Sequence, residues 1–346
     1  MSEYLKGTDR ALAETYALAL LDLDGVVYRG GEPVAHAADA IRQAEHAGMR
    51  IEYTTNNSSR FQAVVADQLI GFGLQVQPKQ VITSSVVAAR MVARAVSQGA
   101  KVLVLGAEHL REEITNQGLT VVDRAIDEPE AVVQGWFPDM TWSMMAETAF
   151  AVEHGAAYFV TNRDLTIPRE LGIAPGCGSM IQAVMNATGV EPVASAGKPE
   201  PAMYDEARLL AAGSDGEPVD KARCLAIGDR LDTDIEAGNR GGYDSLAVLT
   251  GVTNPRELML APAHLRPTYI AADLRSLNEP MSRPQRQSDG RWVCGLSTAW
   301  RNSDGTVQAD GTDNVDALRA ACCLCWEAAD AGDGPDASAL PDIAVA

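Results

Sequence analysis

Two aspartates separated by one residue, Asp22 and Asp24, follow the apolar run LALL in the stretch LALLDLDGVVY at residues 18–28. An apolar run that ends in a glycine has the pattern of a buried central strand. In an open α/β sheet, ligands bind beyond the carboxyl ends of the strands. The pair therefore sits where such a fold would place a reaction centre. Two carboxylates at a strand end repel each other and are costly to desolvate, so they call for a hard divalent cation with oxygen ligands. A carboxylate can also attack phosphorus as a covalent nucleophile. A second one two residues on points to the same side of an extended chain, where it can protonate a leaving oxygen and then activate water.

Three more stations carry compatible chemistry: Thr55 with Asn56, Lys198, and Asp229 with Asp234. Hydroxyl and amide groups can hold phosphate oxygens, a lysine can balance accumulating negative charge, and further carboxylates can fix Mg²⁺. Each has a plainer reading taken singly: a solvated turn, a helix N-cap, a surface lysine, an acidic loop. A calcium loop starting at Asp22 is excluded, because its fifth and twelfth positions are Val26 and Pro33. No Walker A, dinucleotide-binding glycine fingerprint, HExxH or GxSxG pattern is present.

The elements that must position these residues alternate. A strand ending at Asp22, a helix at 34–47, a strand at 49–54 and a helix at 60–71 imply a right-handed parallel α/β sheet. The alternation continues with a helix at 88–98, a strand at 101–106, a helix at 108–117, a strand at 131–136, a helix at 141–154 and a strand at 158–161. Residues 161–179 read as a long loop rich in proline and glycine, the kind that is functional or mobile in a compact domain. A helix at 180–188 follows. Lys198 lies in a turn that opens a helix, Asp229 at the end of another strand and Asp234 on the helix after it. Strands at 245–250 and 268–270 complete the sheet. A polar segment at 280–290 reads as a linker, followed by a hairpin turning at 303–305, a helix at 315–329 and a disordered tail.

A length of 346 residues suggests two or more domains, and 46% hydrophobic with 22% charged residues is ordinary for a soluble globular protein. The net charge of −19 argues against nucleic acid or an anionic membrane as the main partner. No apolar segment reaches transmembrane length and no signal peptide is evident. Six cysteines without framework spacing point to a reduced, cytoplasmic protein.

DLDGVVY, TTNNSSR, GKPEPAMY and GDRLDTDIEAG, in this order and spacing, resemble the four motifs of haloacid-dehalogenase-superfamily phosphatases, closest to the NagD-like, p-nitrophenylphosphatase-like branch. The resemblance covers about residues 15–280. It implies a Rossmann-like parallel-sheet core with an inserted α/β cap. It also implies Mg²⁺ as cofactor and a small phosphorylated metabolite as substrate. Under it, Asp22 is the nucleophile and Asp24 the general acid/base. Asp22, the backbone carbonyl of Asp24, and Asp229 hold the metal, with Asp234 in or near that shell. Thr55, Asn56 and Lys198 bind the phosphoryl group. The presence of Asp24 argues against a true dehalogenase.

The resemblance divides the chain into a discontinuous core (1–83 and 191–280), a cap (84–190), a linker (281–290), a hairpin–helix appendage (291–331) and a tail (332–346). It makes residues 161–179 the substrate-choosing loop, with Asn162, Arg163 and Asp164 its polar members and Arg163 or Arg169 a candidate substrate contact. The appendage looks like that of actinobacterial glycerol-3-phosphate phosphatases. VLTGV (248–252), RPTYI and DLRSL strengthen that likeness as marks of lineage rather than chemistry. Glycerol 3-phosphate is then the first expected substrate. Phosphoglycolate, sugar phosphates and nucleoside monophosphates are the alternatives, and a non-catalytic regulatory role is disfavoured by the intact acidic set. The appendage is expected first to pack on the body, with self-association through the cap or the appendage, or binding of a regulator, as the alternatives. Cys322, Cys323 and Cys325 do not share a helical face, which argues against a metal site there, and Trp326 is expected to anchor its helix.

Overall fold

Apolar runs such as LALL and CLAI are short, continuous and bounded by glycine or acid, and they form parallel strands buried on both faces. The structure, a computed structural model, describes residues 4–169, 171–212 and 216–345. The chain divides into two compact units. One holds Met1–Tyr53, Gly71–Gln75 and Ala207–Ala346; the other holds Thr54–Ile70 and Val76–Glu206.

In the first unit the parallel sheet includes, in order, Tyr269–Ala271, Asp244–Val248, Cys224–Gly228, Leu18–Asp22 and, as far as Tyr53, the strand Arg50–Thr55. Leu18 pairs with Cys224 and Leu21 with Ile227. Asp22 therefore leaves its strand level with Gly228, one residue before Asp229. The register alone brings two of the motifs to one end of the sheet.

The C-terminal region belongs to this unit. Strands Gln285–Arg286, Trp292–Cys294, Ser297–Arg301 and Val307–Ala309 form an antiparallel sheet, followed by the helix Val315–Asp330. Trp292, Leu318, Cys322 and Trp326 share one buried cluster with Leu231, Ile235, Leu258 and Ile270. Trp326 is fully buried and its Nε1 donates to Leu258 O at 2.8 Å, as its anchoring role requires. Arg319 Nε donates to Ile270 O at 2.9 Å, so a buried guanidinium caps a carbonyl of the sheet. The appendage packs as core rather than hanging from a linker.

Two expectations are corrected here. Residues 281–290 are not a linker: Met281 is buried, and Gln285–Arg286 pairs with Trp292–Cys294. The tail is not disordered up to residue 345. Leu340 and Ile343 are buried in the same cluster, and Ala344 N donates to Thr312 O at 2.9 Å. In both cases polar composition suggested solvent while a few apolar residues found partners far away in sequence.

The second unit has its own parallel sheet, in the order Ala194–Ser195, Ala157–Val160, Ala131–Gln134, Lys101–Leu105, Thr120–Val122. Its core includes Leu103, Val132, Val152, Tyr158, Ile181 and Val184. The sheet extends to Ser195, beyond the expected cap boundary at 190. The helix expected from 88 is Ser84–Ala95, begun early because Thr83 caps it by accepting from Val86 N. The expected loop at 161–179 contains an antiparallel hairpin, Thr166–Arg169 with Gly172–Pro175, and the first residues of the helix Cys177–Thr188, which begins three residues before the expected 180. Prolines are tolerated in this two-stranded ribbon because both strands are edges.

No helix among the described residues is long and apolar enough to cross a membrane. All six cysteines are free and buried. Burial pushes the Cys177, Cys294 and Cys325 thiols up to about 12, leaving almost no thiolate at neutral pH.

Candidate active site

In the first unit, Asp22, Asp229 and Asp234 each offer a carboxylate oxygen, and these atoms lie within 4.8 Å of one another. Asp22 is half-buried; Asp229 and Asp234 are 2% and 1% exposed. The Asp24 carboxylate is exposed and outside this cluster.

Local backbone geometry fixes the acids. Gly25 has φ +81°, a conformation that side-chain-bearing residues rarely adopt. It closes the turn in which Gly25 N donates to Tyr28 O at 2.8 Å. A Cβ at Gly25 or Gly251 would overlap the Asp229 carboxylate, and one at Gly228 would overlap Asp234. Asp229 Oδ2 accepts from Val252 N at 2.7 Å, and Asp229 O accepts from Thr253 N at 3.0 Å. Thr250 Oγ1 donates to Gly25 O at 2.6 Å, tying the two loops together. Asp234 lies not on a regular α-helix but in the π-turn Leu231–Ile235, which brings its Oδ2 back to Arg230 N at 3.1 Å.

VLTGV thus does more than mark lineage: its Gly251 and Val252 shape and hold a candidate metal ligand. The sequence offered one signal for this, a glycine just past the strand expected at 245–250, which in the structure ends at Val248. Three carboxylate oxygens in a small glycine-walled cradle form a hard donor set, and it fits a small divalent cation such as Mg²⁺.

In the second unit, Thr55 is buried and its Oγ1 accepts from Asn57 N at 3.1 Å, so its own hydrogen can serve as a donor. Lys198 is 2% exposed, with Nζ 6.0 Å from the centre of the Tyr204 ring. Asn56 accepts from Lys198 N at 2.8 Å and donates to Lys198 O at 3.0 Å. Asn162 is buried, and its amide works within the loop: Nδ2 donates to Asn56 O at 2.9 Å and Oδ1 accepts from Asp164 N at 3.2 Å. Asn56 Nδ2 also lies 3.2 Å from Asp164 Oδ1. Arg163 is exposed, with Nη1 3.4 Å from Glu191 Oε2. The side chain of Arg169 lies outside the described residues. The structure therefore gathers Asn56, Asn162, Asp164 and Lys198 around one loop junction, and leaves Arg163 outside it.

Known proteins resemble the chain throughout. A haloacid dehalogenase-like hydrolase family model matches residues 19–120, and a HAD-hydrolase-like model matches residues 195–277. The D-glycerol 3-phosphate phosphatase of Mycobacterium tuberculosis is 38% identical over 323 residues, covering 92% of this chain and 88% of the relative. A 5′-nucleotidase of Bacillus subtilis is 36% identical, covering 72% of this chain and 95% of the relative. A solved structure of glycerol phosphate phosphatase from M. tuberculosis in complex with magnesium superposes with a TM-score of 0.81 at 37% identity, covering 92% of each chain. With both family models on the segments that carry the four motifs, the chain belongs to the haloacid dehalogenase-like hydrolases.

Proposed function

We propose that this chain is a Mg²⁺-dependent phosphatase that hydrolyses a small phosphomonoester, glycerol 3-phosphate first among them, through a phospho-aspartyl intermediate. The observation that carries the proposal is the convergence of Asp22, Asp229 and Asp234 at one sheet end beside an exposed Asp24. The likeness to glycerol phosphate phosphatases, including one solved with magnesium, supports the substrate and the ion.

Asp22, Asp229, Asp234 and the Asp24 carbonyl would hold the metal. When bound, Mg²⁺ neutralises negative charge on the phosphoryl oxygens and on Asp22. Asp22 attacks phosphorus, forming an acyl-phosphate bond while the bond to the ester oxygen breaks. Asp24, protonated, delivers its proton to the leaving alkoxide. Asp24 then takes a proton from water, whose oxygen attacks the same phosphorus, releasing phosphate and restoring Asp22. Thr55, Asn56 and Lys198 are assigned to the phosphoryl group, Lys198 as its charge partner. Segments 1–83 and about 196–280 are assigned to the catalytic core, and 84 to Ser195, where the second sheet ends, to the cap.

A second substrate class, nucleoside monophosphates, is favoured by the 5′-nucleotidase relative. Phosphate release with Mg²⁺ over glycerol 3-phosphate, phosphoglycolate, sugar phosphates and nucleoside monophosphates tests the assignment. The highest kcat/KM is expected for glycerol 3-phosphate; a nucleotide ranking first would move the assignment to the second class.

A further inference from the structure

The carboxamide of Asn56 has one acceptor group and two donor hydrogens to place. Oδ1 accepts from Lys198 N at 2.8 Å. One hydrogen of Nδ2 goes to Lys198 O at 3.0 Å and the other to the Asp164 carboxylate at 3.2 Å. The opposite amide orientation would set Oδ1 against a carbonyl and a carboxylate, so the network itself fixes this one. The side chain thus pairs with both backbone groups of a single residue, as a neighbouring strand would, and has no donor hydrogen left for a phosphoryl oxygen.

The clamp is itself built in. Asn56 O accepts from Asn162 Nδ2 at 2.9 Å and from Ser84 Oγ at 2.7 Å. At Gly197, a Cβ would stand 2.7 Å from Asn56 Oδ1 and 2.7 Å from Asn162 Cβ. Only glycine lets the chain entering Lys198 come this close. Lys198 itself is buried, so the path open to its side chain depends on where its backbone is held.

We propose that Asn56 is a positioning residue that acts through Lys198, holding its backbone between the second-motif strand and the loop of Asn162 and Asp164, rather than a phosphoryl ligand through its side chain. This rests on the phosphatase reading above and redefines one residue within it.

A double-mutant cycle tests it. Asn56→Ala, Lys198→Ala and the double variant are compared for Mg²⁺-dependent phosphate release, with kcat and KM separated, and for the affinity of inorganic phosphate measured calorimetrically. Asn56→Ala is expected to lower kcat/KM by roughly 30-fold and to weaken phosphate binding, whereas in the Lys198→Ala background it changes either by less than about 3-fold, the signature of residues that act as a unit. Asn56→Asp keeps the side-chain size and the acceptor but loses the donors. It serves the same cycle if Asn56→Ala melts, and the same non-additivity is expected. Effects that multiply in the double variant, with wild-type activity intact, would show Asn56 meeting the phosphoryl group independently and would overturn the proposal. A wild-type chain that releases no phosphate from any ester would instead sink the phosphatase reading, and this inference with it.

Discussion

Val252 and Asp229 meet through a 2.7 Å hydrogen bond from the Val252 main chain to Asp229 Oδ2. The residue between their loops, Gly251, has no side chain because a Cβ there would overlap the same carboxylate. A backbone donor and a missing side chain thus fix one oxygen of Asp229, a member of the acidic cluster. Gly251→Ala should displace Asp229. Groups that orient a ligand typically contribute 10–100-fold to metal affinity, so a loss of at least ~10-fold in Mg²⁺ affinity is expected by calorimetry. Unchanged affinity would show that Asp229 does not depend on this loop.

Acid stability is set in part by His109. The ring is 1% exposed, with Nε2 2.8 Å from Thr83 Oγ1, Nδ1 4.0 Å from the Glu113 carboxylate, and the Phe61 ring 5.2 Å away. Burial pushes its pKa down to about 4 from 6.5. Between these values the unfolded chain binds a proton that the folded chain does not, so stability falls as pH drops from 6.5 towards 4. The histidine contribution is on the order of 3 kcal/mol across that window. Burial also raises the Glu113 carboxyl, which acts in the opposite sense. His109→Gln removes the first effect and keeps a partner for Thr83. Its melting temperature should fall less than that of the wild type between pH 6.5 and 4.5; parallel curves would contradict the assignment.

The C-terminal tail is structural. Leu340 and Ile343 are 7% and 5% exposed and lie in the cluster that contains Trp326 and Leu258. Leu340→Ala and Ile343→Ala are each expected to cost about 2 kcal/mol in urea unfolding, the lower end for buried large-to-small substitutions. A neutral result at both positions would return the segment to the solvent-exposed status that its composition suggests.

Much of this was legible because the chemistry sits on the most regular elements. LALLD and CLAIG are continuous apolar strands, and their parallel register carries Asp22 and Asp229 to the same sheet end without further information. What was missed is long-range or irregular. The Asn56 clamp joins residues 142 apart, and no spacing pattern encodes such a pairing. The π-turn under Asp234 has no periodic signal of its own. The hairpin Thr166–Arg169 and Gly172–Pro175 carries prolines that mark a loop unless both strands are known to be edges. Thr120–Val122, at three residues, is too short for alternation to be read.

The most direct test of the account is the fate of Asp22. Wild-type chain and Asp22→Asn, matched for melting temperature, are assayed with Mg²⁺ on p-nitrophenyl phosphate and glycerol 3-phosphate. With the nucleophile replaced by an amide, turnover should drop by at least ~10³-fold on both esters, in line with losses seen when a covalent catalyst is removed. Turnover within a few-fold of wild type in a folded Asp22→Asn protein would contradict covalent catalysis at Asp22.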